Sequence, residues 1–422
     1  MTEKRIFATP ALQLKSALNF IPLVIFTIFA VLLCLLPFFQ PTAYLKEKIL
    51  YSLAIITCSL TLFFLNHGLQ VSSKRVHVIL APLLLLFSIL LSTIFSNDPE
   101  YSVTEFYKYA SYVCVFLCAL SLPDKKKIIL ILALAATSAI VSIRALQWVM
   151  FGAFKTLDIL AEQQIPWEFA REYLNRGRAF VPFIFPSELG SYLILCIPVG
   201  VALALQNNAK KLPENKFSFL NALALFIIIP DTLALFCTQS LGAIISLSLS
   251  AAIFIFFFKK RKMKFHLLSY LAVSIIALTA VTFAFRNSAN LNLNLPLLSV
   301  TNRISYWQNA LKLIGAHPLT GLGPGNYPFF KGFWAHNSYL QAWVEFGILG
   351  IISLIYMAVV TIKTDLDTVK GRDRLILSGA WVGSLAFLIH NLVDSTILWP
   401  AVSLQWWAIA GVLASFFIKN KR

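Results

Sequence analysis

Long apolar runs separated by short polar intervals make up most of this chain. A helix that crosses a hydrocarbon core needs about 20 such residues. Twelve runs reach or approach that length, at about 17–39, 49–66, 77–95, 109–122, 128–152, 181–205, 218–236, 241–258, 265–285, 338–362, 375–393 and 401–418. The pattern predicts a spanning helix over each. The fourth run is short, and only Cys237-Thr238-Gln239-Ser240 separates the seventh from the eighth. The longest polar interval runs from Arg286 to Glu345 and ends where the tenth run begins. Inside it Ile304, Trp307, Leu311 and Ile314 recur at helical spacing, and Gly315 and Pro318 are expected to end that helix. A second polar interval covers about 153–180. Its apolar positions Phe154, Leu157, Leu160 and then Trp167, Phe169, Tyr173 suggest short helices along an interface. Arg178 is followed by AFVPFIFPSELGSYL, whose prolines break up the start of the sixth run. Broken helix ends often line a cavity.

Composition supports the same class. Of 422 residues, 59% are hydrophobic and 13% charged, where a soluble protein carries about a quarter charged residues. The mean hydropathy is +0.78. The expected fold is an all-α polytopic membrane protein, one integral domain over 1–422 with about 12 transmembrane helices. The run 17–39 is too long for a signal-peptide core and reads as an uncleaved anchor. No internal repeat and no appended soluble domain is expected. The six cysteines lie in apolar runs or, for Cys237, at the edge of one, and none forms a CxxC. They read as packing residues rather than a disulfide framework or a metal site.

The net charge of +17 would suggest nucleic acid in a soluble protein. Placed on the spans, it has another explanation. With the N-terminus inside, 23 Lys and Arg fall on the inner side and 11 on the outer, with Arg144 inside a span. This obeys the positive-inside rule and puts both termini in the cytoplasm. The run KKRKMK at 259–264 then reads as a topology signal that touches phospholipid, and no nucleic-acid partner is expected.

Topology does not require the outer cations, which makes them candidates for chemistry. Arg171, Arg176, Arg178, Arg286 and Arg303 are all on that side. Guanidinium groups fork onto phosphate oxygens and stay charged, as a diphosphate leaving group would need. They could equally hold lipid headgroups. His336, where the long interval meets the tenth span, is a candidate general base; the plainer alternative is an interfacial imidazole bonded to backbone. Glu188, Asp231, Glu345, His390 and Arg144 lie in or near spans, and Asp394 flanks the last turn. Intramembrane ionisable groups are functional candidates, with snorkelling as the competing explanation. GLGPGNY at 321–327 is not set between a strand and a helix, so it supplies turns rather than a nucleotide site. No HExxH or CxxC occurs, so neither a metal nor a cofactor is indicated.

Three segments resemble the shared C-terminal region of the O-antigen ligase and O-antigen polymerase superfamily. RISYWQNALKLIGAHPLTGLGPGNY resembles the family's arginine–tryptophan helix with its proline and glycine-rich turn. AHNSYLQAWVEFGILG resembles the ligase signature, with His336, Asn337, nine residues, then Gly347 and Gly350. HNLVDSTILWP resembles the family's penultimate outer turn, and GRAFVPFIFPSELGSYL a further segment in which an arginine precedes a broken helix. TQSLGAIISL departs from the pattern: a frequently basic position is Leu241. If that position binds phosphate in relatives, Arg178 or Arg286 must substitute here.

The resemblance implies a multi-span, metal-independent glycosyltransferase in the bacterial inner membrane, with a large periplasmic catalytic loop at 286–337 between spans 9 and 10 and a smaller one at 153–180. It implies transfer of O-antigen glycan from undecaprenyl diphosphate to lipid A–core oligosaccharide, with inversion at the anomeric carbon. His336 would be the catalytic base. Arg178, Arg286, Arg303 and Arg176 would hold the diphosphate, Asn337 would bond near His336, and Trp307 would pack the sugar or anchor the loop. Two alternatives stay open within the superfamily: a polymerase joining lipid-linked repeats, and a protein O-oligosaccharyltransferase. A transporter or flippase is the alternative from another class, disfavoured because the charges gather at one face and no repeat is visible.

Overall fold

The computed structural model describes residues 10–39, 45–66, 73–152, 177–208, 219–258, 295–327 and 334–417. Among them are twelve α-helices: α1 Pro10–Leu35, α2 Leu45–Leu65, α3 Ser73–Ile94, α4 Pro99–Ser121, α5 Asp124–Gln147, α6 Pro186–Asn208, α7 Phe219–Thr238, α8 Leu241–Phe258, α9 Leu295–Ala316, α10 Ser338–Ile362, α11 Gly371–His390 and α12 Pro400–Phe417. Eight helical segments are long and apolar enough to cross a membrane, and Ile49–Leu65 and Leu241–Phe257 are shorter apolar helices. Large apolar side chains such as Leu80, Leu84 and Phe87 on α3 and Leu225, Ile229 and Leu233 on α7 are exposed. Such stripes would be a liability in water and are expected against lipid. The chain is a polytopic membrane protein.

Eleven of the twelve expected spans correspond to helices here; the ninth, 265–285, lies outside the described residues. The fourth is much longer than the sequence pattern suggested. Asp98 caps it through Tyr101 N–H (3.1 Å) with Pro99 at its first position, so α4 starts ten residues before the expected 109. Its extra turns carry Glu105 and Lys108, polar residues that a hydropathy criterion counts against a span. The expected eleventh span, α11, is not among the eight apolar segments. Arg372, Asp373 and Arg374 open it, and most of its residues are buried by protein rather than lipid. A helix enclosed by neighbours does not need an apolar surface. The sixth span begins at Pro186, after an irregular stretch from Gly177, as its prolines suggested.

The densest packing joins α6 to α11, α6 to α7, α12 to α4, and α10 to α3. At the α6–α11 crossing a Cβ on Gly379 would sit 2.5 Å from the Pro198 carbonyl oxygen, and one on Gly383 2.4 Å from that of Leu195. This is the small-residue contact that lets membrane helices approach closely. α9 lies beside the start of α10.

Candidate functional site

α9 buries a face rotated from, and overlapping, the one its aliphatic spacing suggested. Ile304 and Leu311 are exposed, whereas Ala310 and Ile314 are buried with Leu322, Tyr327, Ala335 and Val344. Small Ala310 allows the close approach, and the buried stripe continues back through Tyr306 and Arg303. The helix therefore turns an arginine and a tyrosine towards the loop that carries His336.

That loop rests on a kink in α10. Gly347 is left-handed at φ 73° and ψ −172°, which opens the helix at its third turn. The freed backbone groups pair with the turn that follows α9. Leu322 N–H donates to Val344 O (2.8 Å), Gly323 N–H to Glu345 O (3.2 Å) and Ile348 N–H to Pro318 O (3.0 Å). Ser88 Oγ donates to Phe346 O (2.7 Å), and Ser92 Oγ donates to Glu345 O. The Glu345 carboxylate, 1% exposed, ties two loops together. It accepts from Gly325 N–H (3.0 Å) and from Gln341 Nε2 (2.8 Å), while Gln341 Oε1 accepts from Ala335 N–H (3.2 Å). The residue before His336 is thus fixed by the body of α10.

Asn337 caps α10, accepting from Tyr339 N–H and Leu340 N–H at 3.0 Å each. Its Nδ2 donates to Leu392 O (3.0 Å), so both ends of this amide are bonded to backbone. Ser338 N–H reaches Asn391 O (2.9 Å) and Asp394 O (3.0 Å), and its Oγ donates to Asn391 Oδ1 (2.5 Å). These bonds dock the turn after α11 onto the start of α10 and bring Asp394 to His336. The imidazole Nδ1 is buried with no hydrogen-bond partner and lies 3.9 Å from Asp394 Oδ1. Tyr306 stacks on the ring, with centroids 5.6 Å apart and planes 28° apart. His336 itself is left-handed at φ 47°, a conformation that costs about 1–3 kcal/mol outside glycine and tends to gather at functional sites. Burial holds its pKa below the ordinary histidine value, the Asp394 carboxylate opposes that, and Arg303 adds to the lowering. The ring is neutral at neutral pH, which is the state a base requires.

Arg178 is nearly buried, and its Nε donates to Thr238 O (2.9 Å). Beside it Ala179 N–H donates to Cys237 O (2.9 Å). The guanidinium thus sits against the turn between α7 and α8, next to Leu241. Arg303 is partly exposed on α9 and close enough to act on His336. Trp307 is half-buried, its Nε1 without a hydrogen-bond partner. Arg176 and Arg286 lie outside the described residues.

Other intramembrane candidates have packing roles. Asp231 accepts from Ser138 Oγ (2.5 Å) and Ser142 Oγ (2.7 Å), and Glu188 from Ile184 N–H (3.3 Å) at the broken start of α6. His390 is buried with Nδ1 3.0 Å from Ser191 Oγ. Among the described residues no group of three or more His, Cys, Asp or Glu is placed to hold a metal. Tyr306 and Gln341 were not picked out from the sequence. The signal for Tyr306 was its place one turn after Arg303, on the same face.

The family model described as O-antigen ligase matches residues 222–355. Residues 222–355 are thus similar to an O-antigen ligase domain. The match supports a relation to the O-antigen ligase and polymerase superfamily, whose members are enzymes. No curated protein matches it. The matched stretch spans the α7–α8 turn, α9, the glycine turn, His336, and α10 beyond its kink. Arg178 and Asp394 lie outside it in sequence, yet one touches its first turn and the other faces its histidine. Two segments outside the matched stretch thus pack against it.

Proposed function

We propose that this protein transfers O-antigen glycan from undecaprenyl diphosphate to lipid A–core oligosaccharide at the periplasmic face of the bacterial inner membrane. The observation that carries this reading is the neutral, half-buried His336, within the stretch similar to an O-antigen ligase domain, with Asp394 behind its Nδ1. Nε2 is the ring nitrogen left for an acceptor hydroxyl. It takes the hydroxyl proton as the acceptor oxygen attacks the anomeric carbon. The bond from that carbon to the diphosphate breaks, and undecaprenyl diphosphate leaves with the electron pair. The configuration inverts, and no metal takes part. Asp394 stabilises the imidazolium that forms, and Asn337 and Gln341 fix the backbone on either side of His336.

Arg303, Arg178 and, from outside the described residues, Arg286 and Arg176 hold the diphosphate as its charge grows. Arg178 lies against the very turn whose usual basic residue is replaced by Leu241, which supports it as the substitute. Arg303→Ala or Arg178→Ala is expected to weaken binding of the lipid-linked donor, by about 1.5–3 kcal/mol per charged hydrogen bond lost. Lysine at either site should rescue poorly, because the fork geometry is lost. Unchanged donor binding in both alanine variants, measured on purified protein in nanodiscs, removes them from the clamp. Trp307, one turn after Arg303, would pack a sugar or anchor the loop.

The charges around the histidine set a pH dependence. Transfer should fall on the acid side as His336 becomes protonated, with the limb below the ordinary histidine value of about 6.5. Arg303→Gln removes a charge that lowers this pKa, so the limb should move to higher pH. Asp394→Asn removes the one that raises it, so the limb should move lower. A limb that ignores both substitutions assigns the titration to another group.

Reconstitution with purified lipid-linked glycan tests the whole proposal. Lipid A–core should be consumed as acceptor. Consumption of a second lipid-linked glycan instead makes the protein a polymerase, and modification of a Ser or Thr acceptor makes it a protein O-oligosaccharyltransferase.

A further inference from the structure

Two residues before His336, Trp334 forms part of the wall of a cavity of about 630 Å³. The cavity lies between the Phe39 end of the first helical run, the start of α2, the first half of α4, and the first turns of α10 and α12. Its volume is in the range of about 300–1,000 Å³ usual for small-molecule sites. No step of the transfer chemistry above uses it.

Two kinds of group meet there. One is an aromatic wall: Trp334 and Trp399 stand 5.3 Å apart at 57°, both backed by Phe185. The other is a polar corner on α4 and α10, where Lys108 Nζ pairs with Glu105 and lies 4.5 Å from the Tyr109 ring centroid, and Glu345 adds a second carboxyl. The Tyr109 hydroxyl is buried at this wall without a hydrogen-bond partner. A buried hydroxyl left unpaired is costly, so a ligand that supplies the partner is favoured.

Among the described lining residues the one ammonium is already matched by Glu105, and Glu345 adds no positive charge, which disfavours a diphosphate. A bare lipid chain fits poorly as well, since it would bury these groups without partners. A neutral polyhydroxylated ring meets every group: its hydroxyls donate to Glu105 and Glu345, accept from Lys108 and Tyr109, and its C–H face lies on Trp334 or Trp399. We propose that this cavity is a glycan subsite, binding one uncharged sugar residue of a chain whose next residue reaches His336. Gln341 links the two places, because the side chain that bonds Glu345 also holds the backbone beside His336.

The inference rests on the proposed transfer only for the source of the sugar, the donor repeat or the acceptor core. Binding is therefore tested without turnover, in full-length His336→Ala protein in nanodiscs. Isothermal titration would use two lipid-free ligands, the released O-repeat oligosaccharide and the core oligosaccharide freed from lipid A, with undecaprenol as the lipid control. One oligosaccharide should bind saturably, and which one identifies the source. Glu105→Gln or Trp399→Ala should weaken it on the order of tenfold, and the nearly isosteric Tyr109→Phe roughly threefold with unchanged thermal stability. The proposal is overturned if neither oligosaccharide binds, if binding ignores all three substitutions, or if undecaprenol alone binds and is sensitive to them. Sugar binding that persists in a protein whose wild type transfers glycan to no acceptor would sink the function above and leave this subsite standing.

Discussion

His336→Ala is expected to lower glycan transfer by about 10²–10⁴-fold, the range for loss of a positioned general base. At about 1.4 kcal/mol per tenfold, that is roughly 3–5 kcal/mol of transition-state stabilisation. Folding should hardly change. The imidazole is 37% exposed, and its buried Nδ1 makes no hydrogen bond, so alanine removes little more than a stacked ring. Unfolding free energy should stay within about 0.5 kcal/mol. The variant should still bind donor, because the cationic residues are untouched. Wild-type rates from purified, folded His336→Ala protein in the reconstituted assay would remove the histidine from the chemistry. A variant that loses transfer only because it loses donor binding would instead make it a binding residue, so the two measurements belong together.

Gly347→Ala is expected to damage folding and site together. Its backbone at φ 73° and ψ −172° lies in an essentially glycine-only region that costs another residue about 1–3 kcal/mol. The larger effect is steric: a Cβ there would lie 1.9 Å from the Leu319 carbonyl oxygen, and backbone cannot swing aside as a flexible side chain can. The turn would have to withdraw. It would then give up the bonds from Leu322 to Val344, Gly323 to Glu345 and Ile348 to Pro318, together with Trp343 Nε1 to Pro318 O (3.2 Å). Each contributes about 0.5–1.5 kcal/mol, so the total loss reaches several kcal/mol. Because Glu345 joins this turn to the backbone beside His336, transfer should fall in whatever protein still folds. Gly350→Ala is the informative neighbour. Its Cβ would meet mainly the Phe346 side chain, at 2.4 Å, rather than another loop's backbone. Equal thermal stability of wild type and Gly347→Ala would show that the kink does not hold the turn.

The signature that runs from His336 to Gly350 was visible as spacing, and the structure gives a physical reason for its parts. Asn337 caps the helix, and Gly347 opens it to receive the glycine turn. Its histidine is the residue placed against Asp394. The aliphatic face of α9 misled in part. Ile304 and Leu311 are exposed, while Ile314 of the same aliphatic set is buried. The buried face is marked by a small residue, Ala310.

By itself the sequence determined the class of protein, the position of most of its helices and the residue to mutate first. These follow from local rules: the length of apolar runs, the side on which cations fall, and a spaced motif. Only the tertiary structure decided which residues surround that histidine. Asp394 lies 58 positions along the chain from it, and Arg178 and the turn at Thr238 meet across 60. No periodicity encodes such meetings, because they depend on how α6, α10 and α11 pack and on where Gly347 bends one of them. The cavity beside Trp334 is of the same kind. Its polar corner comes from the extra turns of α4, which hydropathy alone had left out of the helix.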